Sequence, residues 1–278
     1  MVAILLAFGC ALSYGFGDYW GGLATRHSPL LKVLPITVVT GLISLLLAWP
    51  ILGADFSRPA VISGLLAGTA GIAGYIFVMK SLGLGPMGAV APITALIAVI
   101  IPFGVGLFRG ERLTITGSIG ALLAMISIGL VSRSTVDATH PLTKTAAIYA
   151  VLGGLGFAGF LLGVSSAPKE SGLAPVIVGR IVTLVVFTVA MLVTWKRIAD
   201  QPVDYKRAAA AGALDVWGGV TFMMATRHGQ LVLVSVIAAL YPAITVLLAR
   251  VFLKERLERH QVFGLFGAGL AIILLTVS

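Results

Sequence analysis

The chain has 278 residues, 59% of them hydrophobic and 10% charged, with a mean hydropathy of +1.08, which is more apolar surface than a water-soluble core can enclose. Nineteen Lys and Arg against ten Asp and Glu give a net charge of +9. The basic residues stand at the ends of apolar runs and form no arm interleaved with aromatics, so the composition indicates an all-α integral membrane protein and argues against a nucleic-acid-binding one. A single cysteine, Cys10, excludes an intrachain disulfide and a cysteine metal cluster.

A bilayer core roughly 30 Å thick takes about twenty apolar residues per helix, and ten such stretches follow one another with short breaks. The first, 2–24, lacks a basic leader and is long enough to span, so it reads as a retained helix and not as a signal peptide. It carries Tyr14 and Gly15-Phe16-Gly17-Asp18 and runs into Arg26-His27. Helices at 30–52 and 60–81 follow, the latter with Tyr75; the fourth, 87–108, contains Pro92 and Pro102. The fifth, 113–132, is followed by a sixth at 144–166 and a seventh, 173–195, that contains Arg180. Asp215 and Trp217 lie in the eighth, 207–227, Tyr241 and Pro242 in the ninth, 231–252, and the tenth is 258–277. Mid-helix prolines free a carbonyl and permit a bend, so Pro92, Pro102 and Pro242 are expected at hinges or cavity bends.

Sliding the sequence by 144 residues aligns the halves without a gap. It pairs Gly68/Gly212, Gly74/Gly218, Gly85/Gly229, Phe108/Phe252, Glu111/Glu255, Arg112/Arg256 and Leu113/Leu257. Apolar bias alone does not set Phe-x-x-Glu-Arg-Leu at the same place twice. The chain therefore divides into two five-helix repeats, 1–134 and 143–278, and an odd number of helices per repeat makes the second enter the membrane from the opposite side. Inverted repeats usually belong to transporters, with the substrate site near mid-membrane at the repeat interface.

Leu240-Tyr241-Pro242-Ala243-Ile244-Thr245-Val246-Leu247-Leu248-Ala249-Arg250, then Lys254-Glu255-Arg256-Leu257 and Gln261 with Gly264, resembles the ninth-to-tenth helix signature of the EamA family in the drug/metabolite transporter superfamily; Pro92 to Gly120 is similar to the same signature in the first half. The resemblance implies that spanning helices 1, 3, 4, 6, 8 and 9 surround a central cavity, and that a small metabolite or drug is exported or taken up. It also implies both termini in the cytoplasm, whereas the Lys and Arg of the connections, five on the side of the termini and thirteen on the other, argue for both termini outside.

Ionisable groups within spans cost several kcal/mol unless they face a cavity or a partner, and there are three: Asp18, Arg180 and Asp215. Both acids sit in Asp-x-Trp-Gly-Gly followed by Ala-Thr-Arg-His. Asp18 lies about 12 Å before Arg26 and Asp215 about 18 Å before Arg227. In antiparallel helices across a core of roughly 30 Å, these depths put the carboxylates at one level. They are expected to bind substrate and to couple protons, holding an amine, a proton, or both by turns; the alternative has each acid satisfy a kink or a neighbouring hydroxyl. Tyr14, Tyr75, Trp217 and Tyr241 are expected to hold the apolar part of a substrate. Arg180, near a boundary, is expected to snorkel or bond loop carbonyls, and as a ligand it would be an anion partner. The Arg-His pairs at helix ends read as snorkelling, and no spacing among His27, His140, His228 and His260 suits a metal.

No phosphate-cradling Gly-x-x-x-x-Gly-Lys-[Ser/Thr] loop is present, so ATP is not expected as the direct energy source, and no cofactor is expected. The reading is a secondary transporter of an amino-acid-like or cationic small molecule, monomeric or homodimeric, in lipid, with the cell membrane as its expected location. Two alternatives are a lipid or lipid-linked flippase of the same fold and an intramembrane aspartyl protease, the latter because Gly15-Phe16-Gly17-Asp18 matches Gly-x-Gly-Asp.

Overall fold

The computed structural model describes residues 1–26, 28–82, 84, 87–132, 142–254 and 257–277. Gly85, Arg133, Glu255, Arg256, His27 and His140 lie outside them. Inside a bilayer no water can bond the backbone, so each apolar run must close its hydrogen bonds within itself. The runs accordingly form helices: α1 (Val2–Arg26), α2 (Leu30–Leu52), α3 (Arg58–Leu82), α4 (Met87–Phe108), α5 (Ile115–Ser132), α6 (Lys144–Ser165), α7 (Ala174–Ile198), α8 (Tyr205–His228), α9 (Leu231–Ala238), α10 (Tyr241–Phe252) and α11 (Arg259–Thr276). Ten spans result, because α9 and α10 are two halves of one. Their outer faces are apolar: Val193 on α7 is 80% exposed and Phe266 on α11 is 75% exposed, surface that lipid covers.

Local chemistry sets several starts. The Thr143 side chain accepts from Ala146 N and that of Asp204 from Arg207 N, each at 3.1 Å, while Glu258 and Gln261 form a capping box. The carboxylate of Glu111 accepts the backbone N–H of Val232 at 2.8 Å, which places a negative charge at the start of α9.

Lipid removes most of the hydrophobic drive between helices, so packing relies on small residues that let backbones approach. A Cβ on Gly156 of α6 would lie 2.3 Å from Gly74 Cα of α3, and one on Gly212 of α8 would lie 2.0 Å from the Thr37 carbonyl oxygen of α2. The most extensive packings join α1 to α8, α3 to α6 and α5 to α11. Shifting by one repeat exchanges the first two and maps the α2–α8 packing onto α7–α3, so the structure carries the inverted two-fold of the sequence. The matched glycines have matching work: Gly74 and Gly218 sit at α3–α6 and α8–α1, Gly68 and Gly212 at α3–α7 and α8–α2.

Two ties obey the same symmetry. On one face Asp204 N donates to Ser28 Oγ at 2.8 Å, and Lys32 Nζ donates to the carbonyls of Ala199 and Gln201 at 2.6 and 2.8 Å. On the other, Asp55 N donates to Ser171 O at 3.1 Å and Leu173 N to Gly53 O at 2.9 Å. Arg227 does not snorkel as expected. Its Nη2 reaches the Pro168 and Gly172 carbonyls, each at 3.2 Å, and Ser171 Oγ at 3.0 Å, because the tight α6–α7 connection turns carbonyls toward the end of α8.

The ninth span departs from the expected continuous helix. Pro242 has no N–H to close the turn onto Ala238, and Leu240 N and Ala243 N bond three residues back, to Ile237 and Leu240, so the helix breaks at Ala239-Leu240. Its repeat counterpart α4 runs unbroken through Pro92 and Pro102.

Candidate functional site

Helices α1, α8, α6, α4 and the α9–α10 pair touch in sequence around a ring. α1 and α8 are antiparallel: Gly9 lies against Thr221, Gly17 against Asp215, and Gly21 against Ala211. A Cβ on Gly17 would be 3.3 Å from Asp215 N and 3.6 Å from its Cα, so the Cα atoms of Asp18 and Asp215 lie within about 9 Å of each other. The two acids therefore share one level, as the depth arithmetic requires.

The direction of Asp18 follows from Tyr14, one turn earlier on the same face of α1. The Tyr14 ring fills the space left by Gly218 on α8, where a Cβ would be 2.6 Å away, and meets Tyr241 of α10 edge-on with centroids 6.0 Å apart. Behind it, Phe160 of α6 approaches Gly219. This face of α1 is enclosed at Tyr14 by α8, α10 and α6, and Asp18, one turn further on, is exposed. Asp215 lies within electrostatic reach of both Asp18 and Tyr14, and Tyr241 within reach of Asp18 and Tyr14. Thr245 Oγ1, one turn after Tyr241, bonds the Gly15 carbonyl at 3.1 Å and holds α10 against α1 at the same level.

Arg180 corrects the expectation of a boundary side chain. It extends from α7 into the interior, where Nη2 pairs with Asp215 Oδ2; the arginine side chain is 12% exposed and the Asp215 carboxylate 46%. The cause is electrostatic, since an arginine and an aspartate placed separately in a low-dielectric interior each carry a desolvation cost that contact reduces. Depth alone hid the pair: Arg180 is six residues into α7, about 9 Å, and Asp215 thirteen from the facing end of α8, about 20 Å, a gap the long arginine side chain helps to span. The signal that could have found it was that Asp18, Asp215 and Arg180 are the charged residues lying more than a turn inside the spans, and that they are of opposite sign.

Asp18 has no hydrogen-bonded or ionic partner among the described residues. The ensemble Asp18, Asp215 and Arg180 thus sums to −1 − 1 + 1 = −1 when all three are ionised. It does not form the proton-sharing carboxylate dyad that an aspartyl protease uses, because one of the two acids is held by a guanidinium.

The structure separates two expected ligand contacts from this group. Trp217 stands two residues from Asp215 and therefore projects to the other side of α8, where Nε1 donates to Ser44 Oγ of α2 at 2.9 Å. Tyr75 packs on Phe187 of α7, centroids 5.4 Å apart, in an apolar cluster with Val38 and Ile72, roughly two turns along α7 from Arg180. Asp-x-Trp-Gly-Gly hence contributes its acid and its glycines to the centre and turns its tryptophan outward. Among the described residues no group of His, Cys, Asp and Glu is placed to hold a metal.

No curated protein matches the sequence. A solved structure described only as "Crystal structure of protein" superposes with a TM-score of 0.80, covering 99% of this chain and 96% of its own at 15% identity, a likeness of fold. The sequence itself matches the family described as EamA-like transporters over residues 1–133 and again over 144–277. With ten spans in two inverted repeats around a charged centre, the chain belongs to the EamA-like transporter family.

Proposed function

We propose that this protein is a secondary transporter that carries a small molecule bearing a cationic amine across the cell membrane by alternating access, in exchange for protons. The observation that carries the reading is Asp18, exposed, without a cationic partner among the described residues, and level with Asp215 on the face of α1 that carries Tyr14. A lone acid there is costly unless a positive charge comes to it, and an ammonium group and a proton are the two that can alternate. Tyr14 and Tyr241 supply ring faces close to the acid, which suits a cation attached to an apolar body. Asp215 contributes through its exposed carboxylate edge while Arg180 holds the other oxygen. The two repeats rock about this point, and the break at Ala239-Leu240 gives α10 freedom to tilt relative to α9.

Phenyltrimethylammonium is a suitable probe, since it keeps its charge at every pH and does not cross lipid as a neutral base. Proteoliposomes loaded with it should exchange it for labelled phenyltrimethylammonium outside. Asp18→Asn, which keeps the shape of the side chain, should lower that exchange on the order of a hundredfold, as expected for loss of the one uncompensated charge at the binding point. Equal exchange by wild type and Asp18→Asn, at equal amounts of folded protein, would refute the assignment.

A further inference from the structure

We propose that Arg180 sets the charge capacity of the site at one, so that the transporter accepts monocations and rejects dications; this rests on the amine reading above and deepens it. Two carboxylates at one level, taken alone, would be neutralised by two positive charges, as in a diamine. Arg180 removes one of them from that count. It comes from α7, a helix that packs on α2 and α3, and its guanidinium, 12% exposed, occupies one oxygen of Asp215. What remains for a ligand is the charge of Asp18, unpaired among the described residues, near Tyr14 and Tyr241, and a neutralised Asp215 whose exposed edge can accept a hydrogen bond.

The arithmetic then discriminates among cargoes. A monocation brings the ensemble from −1 to 0, whereas a dication brings it to +1, leaving a charge uncompensated in a low-dielectric space. A zwitterion adds nothing and leaves the site at −1 unless a proton accompanies it. The inference is a fixed counter-ion built into the protein, so that valence is selected by Arg180 and not by the acids.

Two amines with one ring and one or two ammonium groups test this: benzylamine and p-xylylenediamine, titrated calorimetrically into the full-length detergent-solubilised protein at neutral pH and low salt. Wild type should bind benzylamine about tenfold more tightly than p-xylylenediamine, and Arg180→Gln should raise affinity for the diamine relative to benzylamine on the order of a hundredfold, reversing the order. Should Arg180→Gln fail to fold, Asp215→Asn supplies the converse. With Arg180 left facing Asp18 the ensemble sums to zero, and benzylamine affinity should fall on the order of tenfold, while Arg180→Gln with Asp215→Asn, which returns the sum to −1, should recover it. If wild type binds benzylamine but Arg180→Gln keeps the wild-type order, or Asp215→Asn binds benzylamine as wild type does, the role of Arg180 is overturned and the amine reading survives. If wild type binds neither amine, the amine reading falls and this inference with it.

Discussion

Arg180→Leu is expected to lower the unfolding free energy by about 3 kcal/mol, the low end of the range for breaking a buried pair because the Asp215 carboxylate it abandons is already 46% exposed. The loss would come less from the missing attraction than from the charge left behind. A second change, Asp215→Leu, should therefore restore most of the stability, since it removes that charge and replaces the pair with apolar groups of similar reach. Thermal unfolding in detergent of the wild type, both single variants and the double variant measures the coupling directly. If the double variant were as unstable as the sum of its singles, Arg180 and Asp215 would be acting independently.

Gly156→Leu is expected to leave little folded protein. Its Cβ would stand 2.3 Å from Gly74 Cα and 2.4 Å from Gly74 N, backbone atoms that cannot step aside without parting α6 from α3. That packing is the symmetry mate of α1 on α8, and α6 also packs on α8 and α4 in the ring of helices around the charged centre, so displacing it disturbs the ring. Gly104→Leu in α4 is the matched control, for nothing lies within 4 Å of its Cβ position. The readout is the monodisperse fraction in size-exclusion chromatography, near wild type for Gly104→Leu and strongly reduced for Gly156→Leu.

The fold was legible because the membrane makes few demands and makes them locally. Span length, charged ends and the 144-residue echo identify ten helices in two inverted repeats, and the bounds at 30–52 and 87–108 coincide with α2 and α4. The echo was read as an inverted duplication without a role for its matched glycines; the structure adds that Gly68, Gly74, Gly212 and Gly218 recur because each lines an interface that the two-fold repeats. Pro242 was expected to bend a helix and it breaks one, since it also lies where Leu240 and Ala243 close shorter turns. In the centre, depth arithmetic brought Asp18 level with Asp215, because distance along a helix is a one-dimensional quantity that sequence carries. Which side of the helix a residue faces depends on neighbours remote in sequence. Trp217 and Tyr75 turn toward α2 and α7, and Arg180 was taken for a boundary residue because its partner lies 35 positions away on another helix.

The central claim is that one carboxylate, Asp18, takes an amine cation and a proton by turns. It is tested most directly by imposing an acid interior on proteoliposomes and following external phenyltrimethylammonium, whose fixed charge prevents trapping as a protonated weak base. Protons leaving through the transporter should drive the cation to accumulate above its outside concentration in wild type. Collapse of the gradient with a protonophore should release it, and Asp18→Asn should show no accumulation. Wild-type uptake that reaches the same level with and without the pH gradient, or gradient-driven accumulation that persists in Asp18→Asn, would contradict the claim.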